Sequence, residues 1–270
     1  MLTSFFEMLQ YDFIVRALCA GLAIAICAAL LGSNLVLRHQ SMISDGLSHV
    51  AFGATIISIT LGFAPLSLTI PIVIAASYAI LQISNSRRIH GDAAIAILSA
   101  SALAIGTIVN SLNHGSNIDL NSYLFGSILS VTGVDLIIIA IVTAIIIALY
   151  VIFYRQIFAI TLDESFAKAI GIKTKLYNAA LAAICSIVIV LGMRMLGALL
   201  ISSLIVFPCL SARQIARSFK TTVILSVIFS VASLCFGLTA SYAFNLPSGA
   251  SVVIANLICF IFCRIYRLLS

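Results

Sequence analysis

Arg38-His39-Gln40-Ser41-Met42-Ile43-Ser44-Asp45-Gly46-Leu47-Ser48-His49-Val50-Ala51-Phe52-Gly53 starts with charge and runs into an apolar segment. That segment carries a carboxylate at Asp45 and an imidazole at His49. Positions i and i+4 of a helix share a face, so both side chains can point at one object. If the stretch opens a membrane helix, it keeps two ionisable groups where such groups are expensive. Ionisable residues inside a span mark a functional site by default.

The surrounding chain supports the membrane reading. Its 270 residues are 63% hydrophobic and 8% charged, with mean hydropathy +1.25. Soluble domains carry about 25% charged residues, which excludes an ordinary soluble domain. Apolar runs of about 20 residues recur, the length of a helical span. A transmembrane barrel would alternate over about 10 residues instead. The fold class is therefore all-α: a polytopic helical transmembrane protein.

Net charge is +6. In such a chain the excess reads as topology, because Lys and Arg collect in cytoplasmic loops; no nucleic-acid partner is implied. Trp is absent, so Tyr and Arg are expected to anchor the interfaces. The seven cysteines are scattered through apolar runs without a C-x-x-C, which reads as small buried hydrophobes. The first apolar run is too long for a signal-peptide core and lacks a basic lead.

Taken in order, the expected spans are Phe13–Leu37, Ser41–Phe63, Leu66–Ile83, Ala93–Leu112 and Val134–Phe153, then Tyr177–Gly192, Leu196–Leu210, Thr221–Phe244 and Ala250–Phe262. Pro71 is read as interrupting the third, Arg194 as marking a turn, and Pro208 as ending the seventh. The seventh and ninth are short, so eight and nine spans are equally fair counts. Residues 123–131 read as interfacial or re-entrant.

Alternate connections carry the charge: Arg38, then Arg87 and Arg88, then Arg155 to Lys175, then Arg213 to Lys220, then the C-terminal tail. Arg194 is the exception. The positive-inside rule puts the basic set in the cytoplasm, with the N-terminus outside and the C-terminus inside. The longest polar stretch, 154–176, contains Leu162–Ile172, which reads as a short amphipathic helix stopped by Gly171. It is either a solvated connector or an element that a motor subunit could push. No G-x-x-x-x-G-K-[ST] occurs, so ATP is not bound through a P-loop here. A transporter without its own P-loop draws energy from a gradient or from a partner.

Four motifs then resemble the permeases of metal-ion ABC importers. Arg38 to His49 resembles their L-R-R-x-S-x-x-G-D-x-L-x-H-A segment, with His39 where a second Arg is usual. Asp119-Leu120-Asn121-Ser122-Tyr123-Leu124-Phe125-Gly126 resembles D-L-x-x-Y-L-F-G. Leu196 to Pro208, followed by Ala212-Arg213, resembles V-G-x-L-L-x-x-x-L-x-x-x-P…A-R, and Pro247-Ser248-Gly249 resembles a late P-x-G turn. The match is collinear over the whole chain and looks closest to the Znu-type zinc-uptake permease.

The resemblance implies a type II ABC-importer-like permease fold of 8–9 spans. Residues 1–270 would form one transmembrane domain with a cytoplasmic coupling region at about 155–176. It implies a homodimer in the cell inner membrane, in contact with lipid. Separate ABC ATPase subunits would hydrolyse ATP, and a periplasmic or lipid-anchored protein would deliver the metal. No permanent cofactor and no enzymatic activity is implied. The cargo would be a divalent metal, zinc first, with manganese or iron as alternatives.

Asp45 and His49 fall on the family's intramembrane metal positions. One carboxylate oxygen and one imidazole nitrogen suit Zn²⁺ or Mn²⁺. On residues alone, an equal reading has Asp45 capping the helix and His49 bonding a backbone carbonyl. By charge count the pair lies near the cytoplasmic end of its span, unless the helix starts deeper or Arg38 snorkels. Asp163, Glu164, Phe166, Ala167, Ala169 and Gly171 fall where the family's coupling helix meets the ATPase. His114, Asn117 and Asp119 could attract an arriving cation, or Asp119 could be an N-cap in a polar loop. His90 and Asp92 read as interfacial contacts. A gradient-driven carrier acting alone and a non-transporting scaffold are the rivals from other classes.

Overall fold

The computed structural model describes residues 12–84, 91–112, 126 and 132–269. Within them the elements are α1 (Asp12–Leu37), α2 (Met42–Thr60), α3 (Pro65–Ser84), α4 (Gly91–Leu112), α5 (Gly133–Ile152) and α6 (Tyr154–Leu162). These are followed by α7 (Glu164–Ala169), α8 (Thr174–Leu196), α9 (Ala198–Ile215), α10 (Phe219–Phe244) and α11 (Ser248–Leu269). All but α6 and α7 are long and apolar enough to cross a membrane, which makes nine candidate spans among the described residues. No strand occurs among them. A helix satisfies its own backbone, the condition for crossing hydrocarbon.

Several expected boundaries move outward. Pro71 sits inside an unbroken α3, and α9 runs through Pro208 to Ile215. A proline removes one ladder bond, and neighbouring helices make that tolerable in a membrane bundle. The ninth span extends from Ser248 to Leu269, through Arg264 and Arg267. The sixth reaches Leu196, so Arg194 lies in its last turn rather than at the reversal. Gly197 alone makes that reversal, at φ 91° and ψ 156°. A Cβ added at Gly192 would lie 2.5 Å from Ile201 Cδ1, so α8 and α9 fold back side by side. Gly126, the glycine of the Tyr-Leu-Phe-Gly motif, presses on the Leu196–Gly197 backbone at φ 81°, where a Cβ would meet the Leu196 carbonyl. Only glycine meets both demands.

α1, α2, α8 and α9 form the mostly buried centre, and α3, α4, α5 and α11 are mostly peripheral. α1 packs on α5, α8, α9 and α10; α2 packs on α3, α4, α8 and α9. Close approach depends on small residues, as is usual between membrane helices. A Cβ at Gly106 would lie 2.8 Å from Gly53 Cα, and one at Gly53 would run into the Ala102 carbonyl.

The two ends of the bundle differ. One gathers the α1–α2 turn, α6, α7 and the starts of α8 and α10. Arg38 bonds Glu164 and Asn178, and Phe158 meets the Phe219 ring edge-on at 5.2 Å. The ends of α9 and α11 join through Arg264 and Arg267, which both donate to Gln214 Oε1. Among the described residues, every Lys and Arg except Arg16 and Arg194 belongs to this end. At the opposite end Arg194 Nη1 lies 2.9 Å from Asp135 Oδ1. The second oxygen, Asp135 Oδ2, accepts from Thr132 N and Oγ1 in a capping box at the start of α5. Of these two exceptions, Arg194 is thus neutralised by a nearly buried carboxylate.

Gly53→Leu should cost about 3 kcal/mol or more through backbone overpacking, whereas Gly133→Ala, with open space around it, should leave stability nearly unchanged. Thermal unfolding in detergent separates the two. Arg194→Gln should destabilise by about 1–3 kcal/mol by stranding Asp135. Adding Asp135→Asn should recover part of that loss in the same assay.

Candidate metal pathway

α2 owes its placement to its glycines. Gly46 faces α4, where a Cβ would strike Ile95, and Gly53 repeats the contact two turns on. Nearly every other residue of α2 is buried, including Ile43, Leu47, Val50, Ala51 and Phe52. The accessible positions are Met42, Asp45, His49, Ile57, Ile59 and Thr60. Asp45 and His49 therefore occupy the open stripe of an otherwise covered helix.

His49 Nε2 stands 3.7 Å from Asp45 Oδ2, with side-chain exposures of 30% and 51% respectively. That separation is too long for a hydrogen bond and leaves the two donors side by side. His49 Nδ1 is buried and has no hydrogen-bond partner. Ser44 Oγ and Ser48 Oγ donate to the Ser41 and Asp45 carbonyls, so neither hydroxyl takes up the carboxylate. The capping alternative fails here: Ser41 is the N-cap, it makes no side-chain cap bond, and the imidazole meets no carbonyl.

Depth follows from the helix start. α2 begins at Met42, so at 1.5 Å per residue Asp45 lies about 5 Å in and His49 about 10 Å in. Asp45 therefore lies in the first turns at the basic end of α2, and His49 lies one turn further, close to the middle of this 19-residue helix. Arg38 does not snorkel, because its guanidinium is held by Glu164 Oε2 at 2.7 Å and Asn178 Oδ1 at 2.8 Å.

His114, Asn117, Asp119 and His90 lie outside the described residues. Asp92 is exposed in the first turn of α4. Among the described residues no group of three or more His, Cys, Asp or Glu side chains could hold a metal. Pro208 is buried inside α9, Gly249 is buried at the start of α11, and the Pro247 carbonyl accepts from Ser251. All seven cysteines are free thiols.

The expected amphipathic helix at 162–172 is shorter, confined to α7. Asp163 caps it by accepting from Ser165 N and Phe166 N. Gly171, at φ 85°, ends it: Gly171 N donates to Lys168 O and Ile172 N to Ala167 O, a Schellman closure. Ala167 is fully buried and faces the bundle, whereas Phe166, Ala169 and Ile170 point outward. Glu164 turns inward, with Arg38 on one oxygen and Lys168 on the other. Asn178 and the pairing of Arg38 with Glu164 escaped sequence reading. The partners are over a hundred residues apart, and no spacing rule joins them.

Partial burial of Glu164 pushes its carboxyl up, but Lys168 and Arg38 outweigh that and hold it below its ordinary value of 4.5. A lowered folded value means that the stabilisation is fully present above the ordinary value. It is lost as pH falls through the lowered one. Amide exchange across residues 164–172 should therefore stay slow from neutral pH down to about 5 and quicken below 4 relative to α8.

The ABC 3 transport family profile matches residues 10–267. The manganese import system permease protein of Streptococcus gordonii is 30% identical, over 93% of this chain and 90% of its own length. The zinc-uptake membrane protein of Haemophilus influenzae is 28% identical, over 93% and 97%. The solved PsaBC complex of Streptococcus pneumoniae with Fab superposes at TM-score 0.87 and 31% identity, covering 97% of this chain and 95% of that one. With a helical bundle of nine candidate spans and a family match of this length, the chain belongs to the ABC 3 transport family of metal-ion ABC permeases.

Proposed function

We propose that this protein is the permease of an ATP-driven importer for a divalent transition metal, zinc or manganese, with Asp45 and His49 as the ion's stopping point. The observation that carries this reading is the pair itself. A carboxylate and an imidazole stand 3.7 Å apart on the open stripe of a buried helix, and His49 has an unpartnered ring nitrogen. Two ligands per chain are too few for a closed zinc site, which takes four. A second copy facing the first across this stripe would supply the other two. Loose, incomplete ligation suits an ion that must leave again.

The basic end is assigned to the cytoplasm by the positive-inside rule, which places the N-terminus outside and the C-terminus inside. α7 then presents Phe166, Ala169 and Ile170 to the cytoplasm as the seat for an ATPase subunit. The coupling region proposed from sequence, 155–176, contracts around this helix. A metal-delivering protein would dock at the opposite end, near the Asp135–Arg194 pair, with His114 and Asp119 attracting the cation. Zinc is supported by the imidazole. Manganese is supported by the carboxylate and by the 30% identity to a permease named for it, against 28% for the zinc relative.

Reconstitution in liposomes with the ATPase subunits and the binding protein tests this. Asp45→Asn and His49→Ala should each lower labelled-metal uptake by at least about tenfold, a loss that even outer-shell changes produce at metal sites. Competition between labelled Zn²⁺ and Mn²⁺ identifies the cargo. Uptake by the chain alone, without ATPase, would overturn the ATP-driven reading.

A further inference from the structure

Arg38 ties three separate elements together. It is the last residue before a left-handed turn: His39 takes φ 57°, His39 N donates to Val36 O, and Gln40 N donates to Leu35 O. This is the Schellman closure of α1 with histidine in place of the usual glycine. Ile43 N donates to Gln40 O, so the turn passes directly into α2. From this turn the guanidinium reaches Glu164 Oε2 at the start of α7 and Asn178 Oδ1 near the start of α8. Its side chain is 13% exposed.

α7 otherwise packs mainly on α6 and α8, its neighbours along the chain. The Arg38–Glu164 contact is its long-range tie to the α1–α2 turn, which leads into the helix that carries Asp45 and His49. A cavity of about 30 Å³ lies beside the guanidinium, lined in part by Asn34, Gln40, Ser77 and Asn178. That is space for about one or two waters beside the charge. Loss of Glu164 would leave a mostly buried guanidinium unpaired, which is costly.

We infer that Arg38 is a positioning residue that transmits displacement of α7 to α2, and so links partner-driven movement at the basic end to the geometry of the Asp45–His49 pair. This rests on the importer reading above. A push on Glu164 moves the α1–α2 turn and with it the first two turns of α2, where the pair sits. Asn178 holds the other edge of the guanidinium, so α8 serves as the fixed point.

The test uses the full complex in liposomes with Arg38→Gln, Glu164→Gln and the exchanged pair Arg38→Glu/Glu164→Arg. Metal transported per ATP hydrolysed should fall about tenfold in each single variant, a usual size for a broken coupling. Metal affinity of the Arg38 variant should stay within about twofold of the parent. The exchanged pair should recover much of the transport ratio. A lowered melting temperature with an unchanged transport ratio would reduce Arg38 to a structural brace and overturn the inference. Glu164→Gln lies outside the spans and carries the test if Arg38→Gln does not fold. Unchanged uptake in Asp45→Asn would sink the metal-site reading instead, so the two failures are told apart.

Discussion

Backbone contact between α2 and α4 sets the rest of the site. Gly53 and Gly106 let the two helices meet without side chains between them, and Gly46 repeats the approach nearer the basic end. In a bilayer, lipid tails are as apolar as Leu, so helices gain little by hiding apolar surface from one another. Close packing of small residues is what remains to hold them. Once α2 is fixed by that face, its neighbours α3, α8 and α9 cover most of the remainder. The stripe with Asp45 and His49 is left over. Two costly polar groups are kept open by the same geometry that buries everything around them.

Electrostatics follow the same economy. The chain has few charges, and three ion pairs at the two ends of the bundle hold five of them. Asp135 answers Arg194 at one end, and Glu164 answers Arg38 and Lys168 at the other. Asp45 is different. Among the described residues its ion-pair partner is a histidine that carries charge only when protonated. A carboxylate without a permanent counter-ion, next to an imidazole with a free nitrogen, is suited to a passing cation.

The spans were legible because hydrophobic length is a one-dimensional property. Their ends were less so. Pro71 and Pro208 signal breaks in soluble proteins, yet both sit inside continuous helices that neighbours support. Arg264 and Arg267 seemed to end the last span, but the helix carries them onward to Gln214. The one-residue reversal at Gly197 carries no polar side chain of its own, so the sequence sets the turn three residues early, at Arg194. The Asp45–His49 pair could be found from i, i+4 spacing alone. Its openness could not, because that depends on which face of α2 the glycines commit to α4. Long-range ion pairs such as Arg38–Glu164 leave no local trace at all.

Leu162, Phe166 and Ile170 are all more than half exposed, and all lie in the connection between α5 and α8, outside the candidate spans. A detergent belt forms around the spans and does not extend over such a segment. The chain extracted by itself therefore carries a small water-facing oily patch that no surfactant shields. Its colloidal behaviour would be governed by this short segment and not by the far larger apolar surface of the bundle. Preparations would self-associate through it as they are concentrated, however good the detergent.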